Sequence, residues 1–154
     1  MDVEDISTIT PLELISLEEP PATKDGAIEF LLDLAVDAGR VSDRDAALSA
    51  LLEREEEATT GVGFGIGIPH AKTDAVSKPT VAFARSTDGI DFDAMDDKPA
   101  RLLFMILVPA EGGEDHLQIL SALSRSLMHE DVRENLLDAE SEETVQDILA
   151  EVVA

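Results

Sequence analysis

Apolar and polar positions change their period several times along the chain, and those changes predict its elements. Leu12-Glu13-Leu14-Ile15-Ser16-Leu17 alternates imperfectly and reads as a short strand. Glu18 to Ala22, with two prolines, reads as a turn or linker. From Asp25 to Ala38 the period becomes helical: Ile28, Leu31, Leu32, Ala35 and Val36 fall on one stripe, and Gly39 follows as a C-terminal stop. Ser42-Asp43-Arg44-Asp45 resembles a capping box with Asp in place of the usual Glu. The helix it opens carries Ala47, Leu48, Leu51 and Leu52 and reaches Arg54.

Thr80 to Ser86 predicts a strand, Asp88-Gly89 a turn, Ile90-Asp91-Phe92 a brief extended piece, and Asp96 to Pro99 a loop. Arg101 to Val108 is apolar beyond its first residue and short, which predicts a central strand buried on both faces. Pro109 to Gly113 breaks it. Glu114-Asp115-His116 opens a helix on which His116, Leu120, Leu123 and Leu127 share a face. A short helix runs from His129 through Leu137, and Ser141-Glu142-Glu143 caps a last one striped by Val145, Ile148, Leu149 and Val152. Helices alternating with short strands, one of them apolar on both faces, argue for an α/β fold: a three-layer α/β/α sandwich around one central sheet. The length, 154 residues, suits a single domain, 1–154, with a core from about residue 12 to 153 and a loosely held lead-in over 1–10.

Charge and composition narrow the functions. Eleven Lys+Arg against 34 Asp+Glu give a net charge of −23, which disfavours nucleic acid and anionic membrane surfaces as partners. An acidic disordered chain is excluded, because 44% hydrophobic residues in periodic order can build a core. The dispersed acids suit a surface kept soluble in concentrated salt. With no cysteine there is no disulfide, no thiolate catalysis and none of the common zinc motifs. The N-terminus has no apolar signal region, and the longest apolar run, Leu102 to Val108, is far below the roughly 20 residues of a membrane span. The expected setting is soluble and cytoplasmic.

Candidate chemistry gathers in one stretch, Thr60-Gly61-Val62-Gly63-Phe64-Gly65-Ile66-Gly67-Ile68-Pro69-His70. Glycines at alternate positions allow positive φ and close approach of backbone N–H groups, which can form an anion-binding nest. The same pattern also suits a bulged, closely packed strand. A dinucleotide fingerprint fails in each register, since glycine is needed where Ile66, Ile68 or His70 stands, and no Walker motif is present. A neutral imidazole next to several amides suits an anionic group passing through a histidine.

Thr60 to His70 satisfies the form T-G-h-G-x-G-h-x-h-P-H, with h apolar, and so resembles the signature of enzyme IIA domains of the fructose/mannitol class (type 2) of the phosphoenolpyruvate-dependent sugar phosphotransferase system. Phe64 and Ala71-Lys72-Thr73 look like its fructose branch, and the resemblance runs from about Leu14 to Val152. It implies a mixed central sheet. It implies that His70 is the phosphorylated nucleophile, taking a phosphoryl group from phospho-HPr and passing it to a cysteine of a separate enzyme IIB for sugar uptake. The alternative within the family is a regulatory phosphohistidine protein that acts by binding a partner. A third reading, unrelated to the family, is a small binding module whose glycines only pack.

Arg54 and His116 carry two readings each. Arg54 among glutamates is a solvated cation, or a forked guanidinium aimed at phosphate. His116 is a core-edge histidine, or a second imidazole of the site. The resemblance favours the functional reading of both. Thr60, Gly61, Gly63 and Gly65 are then expected to support the phosphate site. His129 reads as a surface or capping residue. No metal and no cofactor is expected. The sugar and the oligomeric state are not legible.

Overall fold

The computed structural model describes residues 10–57, 61–94, 96–110 and 113–153. In chain order the elements are α1 (Lys24–Asp37), α2 (Arg44–Glu57), β1 (Gly61–Gly63), β2 (Ile66–Gly67), β3 (His70–Lys72), β4 (Thr80–Ile90), β5 (Ala100–Val108), α3 (Gly113–Leu127), α4 (Glu130–Asp138) and α5 (Glu142–Val153). The sheet is mixed. β5 is central: β4 pairs antiparallel with it on one side, while β2 and β3 lie end to end and parallel to it on the other. β1 folds back antiparallel on β2.

Side chains of β5 alternate between two cores. Leu103, Met105 and Leu107 join Ile28, Leu31 and Leu32 of α1 and Leu51 of α2. Leu102, Phe104, Ile106 and Val108 join Leu123 and Leu127 of α3, Leu136 of α4, and Val145 and Leu149 of α5. A strand buried on both faces must be apolar at every position, which is why this segment shows no alternation in sequence. Phe83 of β4 meets Phe104 edge-on, ring centroids 5.2 Å apart, in the geometry aromatic quadrupoles favour.

Three local expectations are corrected. Leu12–Leu14 forms a 3-10 turn, and only Ile15 bridges to the sheet, at Phe83. The Ser16 amide donates to the Phe83 carbonyl, so a single rung replaces the expected strand. Asp88-Gly89 does not end β4. The strand continues to Ile90 through a register shift between Arg85 and Ile90, and Gly89 takes a φ of +88° there. A bulge uses the same glycine a turn would, so sequence alone does not separate them. The cap of α2 is Asp43, whose Oδ1 accepts from the Ala46 amide, while the Ser42 hydroxyl donates to the Ala75 carbonyl. Of the lead-in, residues 1–9 lie outside the described residues. Thr10 is fully buried, and its carbonyl accepts from Gln146 Nε2 at 2.9 Å.

Candidate functional site

The glycine stretch folds as a hairpin that turns at Phe64 and Gly65. Both have positive φ, 57° and 78°, as a two-residue type I′ connection requires. A bulky residue rarely accepts that conformation. Here the Asp96 carboxylate accepts from the Phe64 amide at 3.0 Å, and the Arg133 guanidinium lies 5.0 Å from the centre of the Phe64 ring. The amides of Phe64 and Lys98 hold the Asp96 carboxyl below its usual range. The Gly65 carbonyl then accepts from the Arg101 and Leu102 amides, which locks the hairpin to the start of β5.

From this anchor the chain runs along β5 as β2, breaks at Ile68-Pro69, and resumes as β3. Proline has no N–H to give a neighbouring strand, but its carbonyl accepts from the Ile106 amide, so the break preserves the register. His70 opens β3 opposite Ile106. Ala71 packs in the core on the α1–α2 side. Strand alternation therefore sets His70 and Lys72 on the opposite face, towards α3.

His70 is half-buried. Its Nδ1 lies 2.7 Å from the Ile68 carbonyl oxygen. A carbonyl only accepts, so Nδ1 carries the proton and Nε2 the lone pair. Burial pushes the imidazole below its ordinary pKa. The Ile68 hydrogen bond opposes this, the nearby Arg54 charge adds to the lowering, and the Glu55 carboxylate opposes it. The ring is thus held neutral, in a defined tautomer, with Nε2 nucleophilic at neutral pH.

Arg54 and Glu55 both act on His70 from the end of α2, which packs against β3. Glu55 is a residue that sequence reasoning passes over, because it stands in a run of acids with Glu53, Glu56 and Glu57. Its side chain is only 6% exposed and pairs with Lys24 Nζ at 3.2 Å. Lys24 also pairs with Asp93 at 3.2 Å and stands 5.9 Å from the centre of the Phe92 ring. Partial burial works against the Lys24 charge, but its bonds to Asp93 and Glu55 leave its pKa raised. The only sequence signal was adjacency to Arg54; a pairing with Lys24, 31 residues away, and of Lys24 with Asp93, 69 residues from it, is not legible in a pattern.

The other candidates are placed as follows. His116 lies on the first turn of α3, which opens shortly after β5 ends at Val108, the partner of Lys72 in β3. Its side chain lies outside the described residues, as does Thr60. Gly61 pairs with Gly67 in the hairpin. Gly63 precedes the turn and Gly65 is its second residue, and the structure does not bring that turn to His70. β2 starts opposite Leu102 and His70 stands opposite Ile106, so about 13 Å of strand separates them. His129 is the exposed N-cap position of α4 and makes no side-chain capping bond. Among the described residues no group of three or more His, Cys, Asp and Glu is arranged to hold a metal ion. No helix among them is long and apolar enough to cross a membrane.

The model of one family, the phosphoenolpyruvate-dependent sugar phosphotransferase system EIIA 2 family, matches residues 8–152. The chain belongs to that family. As an EIIA 2 chain it is a phosphotransferase component. It is 91% identical to a protein of Haloferax volcanii described as the fructose-specific EIIA component of such a system, over 99% of both chains. Its fold resembles that of the nitrogen regulatory protein IIA-Ntr from Neisseria meningitidis, with a TM-score of 0.82 and 33% identity over 94% of this chain and 98% of that one. It also resembles enzyme IIA of the mannitol system of Escherichia coli, seen in complex with phosphorylated enzyme IIB, with a TM-score of 0.77 and 31% identity over 90% of this chain and 95% of that one. This EIIA 2 chain therefore shares its three-layer architecture and mixed sheet with solved relatives.

Proposed function

We propose that this EIIA 2 chain carries a phosphoryl group on Nε2 of His70, taking it from phospho-HPr and giving it to a cysteine of a separate enzyme IIB. The observation that carries the reading is the 2.7 Å bond from Nδ1 to the Ile68 carbonyl, which leaves Nε2 as the attacking nitrogen. The donor already holds an activated phosphoryl group, so transfer needs position and charge more than covalent help from other groups. Arg54 offsets the phosphoryl charge and, with its forked guanidinium, fixes its orientation. His116, at the start of α3, is assigned a hydrogen bond to a phosphoryl oxygen, and Thr60 and Gly61 a supporting role at the phosphate. Gly63 and Gly65 serve indirectly, by closing the hairpin that sets β2. The protein works in the cytoplasm and feeds sugar uptake, with fructose favoured by its similarity to a fructose-specific EIIA component.

The test is incubation with phospho-HPr followed by the matching IIB. A label that is acid-labile and alkali-stable, absent from His70→Ala, and discharged by IIB is the expected result. Full labelling of His70→Ala at His116 or His129 overturns the assignment. The similarity to a nitrogen regulatory protein supports a second reading, in which phospho-His70 is read by a binding partner. Labelling by phospho-HPr with no discharge to IIB would select that reading.

A further inference from the structure

Phe64 stands at the tip of the β1–β2 hairpin, in a place whose backbone suits asparagine or glycine. Its φ is 57°, yet its side chain is a phenyl ring and 47% exposed. A left-handed conformation costs a bulky residue roughly 1–2 kcal/mol, and a half-exposed ring gains back only part of its burial energy. The Arg133 guanidinium of α4 lies 5.0 Å from the ring centre, and Arg133 Nη1 donates to the Leu127 carbonyl at 2.8 Å. A cation–π contact at an exposed site contributes about 0.5–1 kcal/mol, which leaves part of the strain without an offset inside the chain. Met128 follows Leu127 directly and is 59% exposed. Two of the three large apolar side chains exposed among the described residues thus meet at one arginine, where α3 gives way to α4.

Arg133 reaches the hairpin from the layer of α3, α4 and α5, the face of the sheet to which strand alternation assigns His70. Phe64 lies about five rungs from His70 along β2 and β3, roughly 17 Å. A protein that buries a standard patch of about 800 Å² covers an area about 30 Å across, so one docked partner spans both. A second copy is a poor occupant, since each chain carries −23 and the two repel. Arg133 is a cation on a strongly acidic molecule, and complementarity calls for a carboxylate opposite it.

We propose that Phe64 and Met128, joined by Arg133, form the docking patch that selects enzyme IIB: an apolar side chain of IIB, with a carboxylate beside it for Arg133, covers the Phe64 ring while the IIB cysteine reaches His70. This rests on the phosphocarrier reading and names the partner contact that goes with it. Selection belongs on the acceptor side. A wrong donor still leaves the same phosphohistidine, whereas a wrong acceptor sends the phosphoryl group to another sugar. A contact remote from the reacting atoms supplies that discrimination without altering the chemistry at Nε2.

The experiment measures initial rates of discharge of the phosphorylated protein to a fructose-type enzyme IIB, over a range of IIB concentrations, in the parent, Phe64→Asn and Met128→Ser. Melting temperatures are read alongside. Asparagine tolerates the left-handed turn, so Phe64→Asn is expected to melt at or above the parent temperature. It is expected to raise KM for IIB about tenfold, the effect of truncating an aromatic anchor, while kcat at saturating IIB is retained. Met128→Ser is expected to raise KM by a smaller factor. An unchanged KM in Phe64→Asn overturns the proposal; if that variant melts well below the parent, an unchanged KM in Met128→Ser does so instead. An equal loss in labelling by phospho-HPr also overturns it, because the patch then does not act on the acceptor. A parent that takes no label, or discharges none to IIB, overturns the phosphocarrier reading itself, which separates the two failures.

Discussion

Gly67→Ala is expected to destabilise the protein at the strand that leads into His70. Gly67 has an ordinary negative-φ backbone, so the obstacle is space. A Cβ built there would stand 3.2 Å from Phe92 Cδ2, 3.3 Å from Leu103 Cδ2 and 3.3 Å from Phe92 Cε2. Neither neighbour has room to yield: Phe92 and Leu103 are fully buried, and Phe92 is backed by Lys24. Inserting a methyl group into a packed core costs about 1–3 kcal/mol. At about 2–4 °C per kcal/mol for a domain of this size, a cost of about 2 kcal/mol lowers the melting temperature by about 4–8 °C. The displacement also reaches Ile68, the next residue, whose carbonyl orients His70. Calorimetry read alongside the labelling rate from phospho-HPr measures both effects. Gly39→Ala is the comparison: Gly39 has a φ of +76° with nothing within 4 Å of its Cβ position, so its cost is conformational and leaves the site alone. A Gly67→Ala melting temperature equal to the parent's would refute the packing argument.

Three further outcomes are expected. Because burial holds the His70 pKa below its ordinary value, the unfolded state binds this proton first as pH falls. Stability is therefore unaffected by His70 above about pH 6.5 and declines below it, and His70→Gln should flatten that part of the pH–stability curve in denaturant titrations. Raising potassium chloride from 0.1 M to 1 M shortens the screening length from about 10 Å to about 3 Å, so the melting temperature should rise; a flat or falling curve contradicts self-repulsion at a net charge of −23. Arg85→Met should destabilise α4, because Arg85 Nη1 donates to the Leu136 and Leu137 carbonyls at 2.9 and 3.0 Å near that helix's end; hydrogen exchange confined to α4 is the readout.

The central strand and the five helices found among the described residues were legible because each rests on local pattern: a doubly buried run and helical stripes; His70 was picked out as a candidate by its place at the close of a glycine-rich motif. What was not legible rests on distance or on which residue a turn leaves in place. Asp88-Gly89 spells a turn, yet it is a bulge, because β5 continues to pair beyond it at Ala100. The alternating glycines suggested amides gathered at the phosphate, whereas Gly63 and Gly65 serve a hairpin some rungs away. Glu55 looked like its exposed neighbours Glu56 and Glu57 because the helix face it occupies is buried by Lys24, from another helix.

The carbonyl that aligns the His70 ring belongs to Ile68, two residues earlier on the same run of chain. Alignment is therefore built in before any other molecule arrives, and on the proposed phosphocarrier reading a visiting protein has only to bring its reactive atom to Nε2. A nucleophile prepared this way is indifferent to the identity of its visitor. Donor and acceptor can differ in shape and chemistry and still take turns at one nitrogen, so evolution can exchange the proteins on either side of the relay without redesigning its middle.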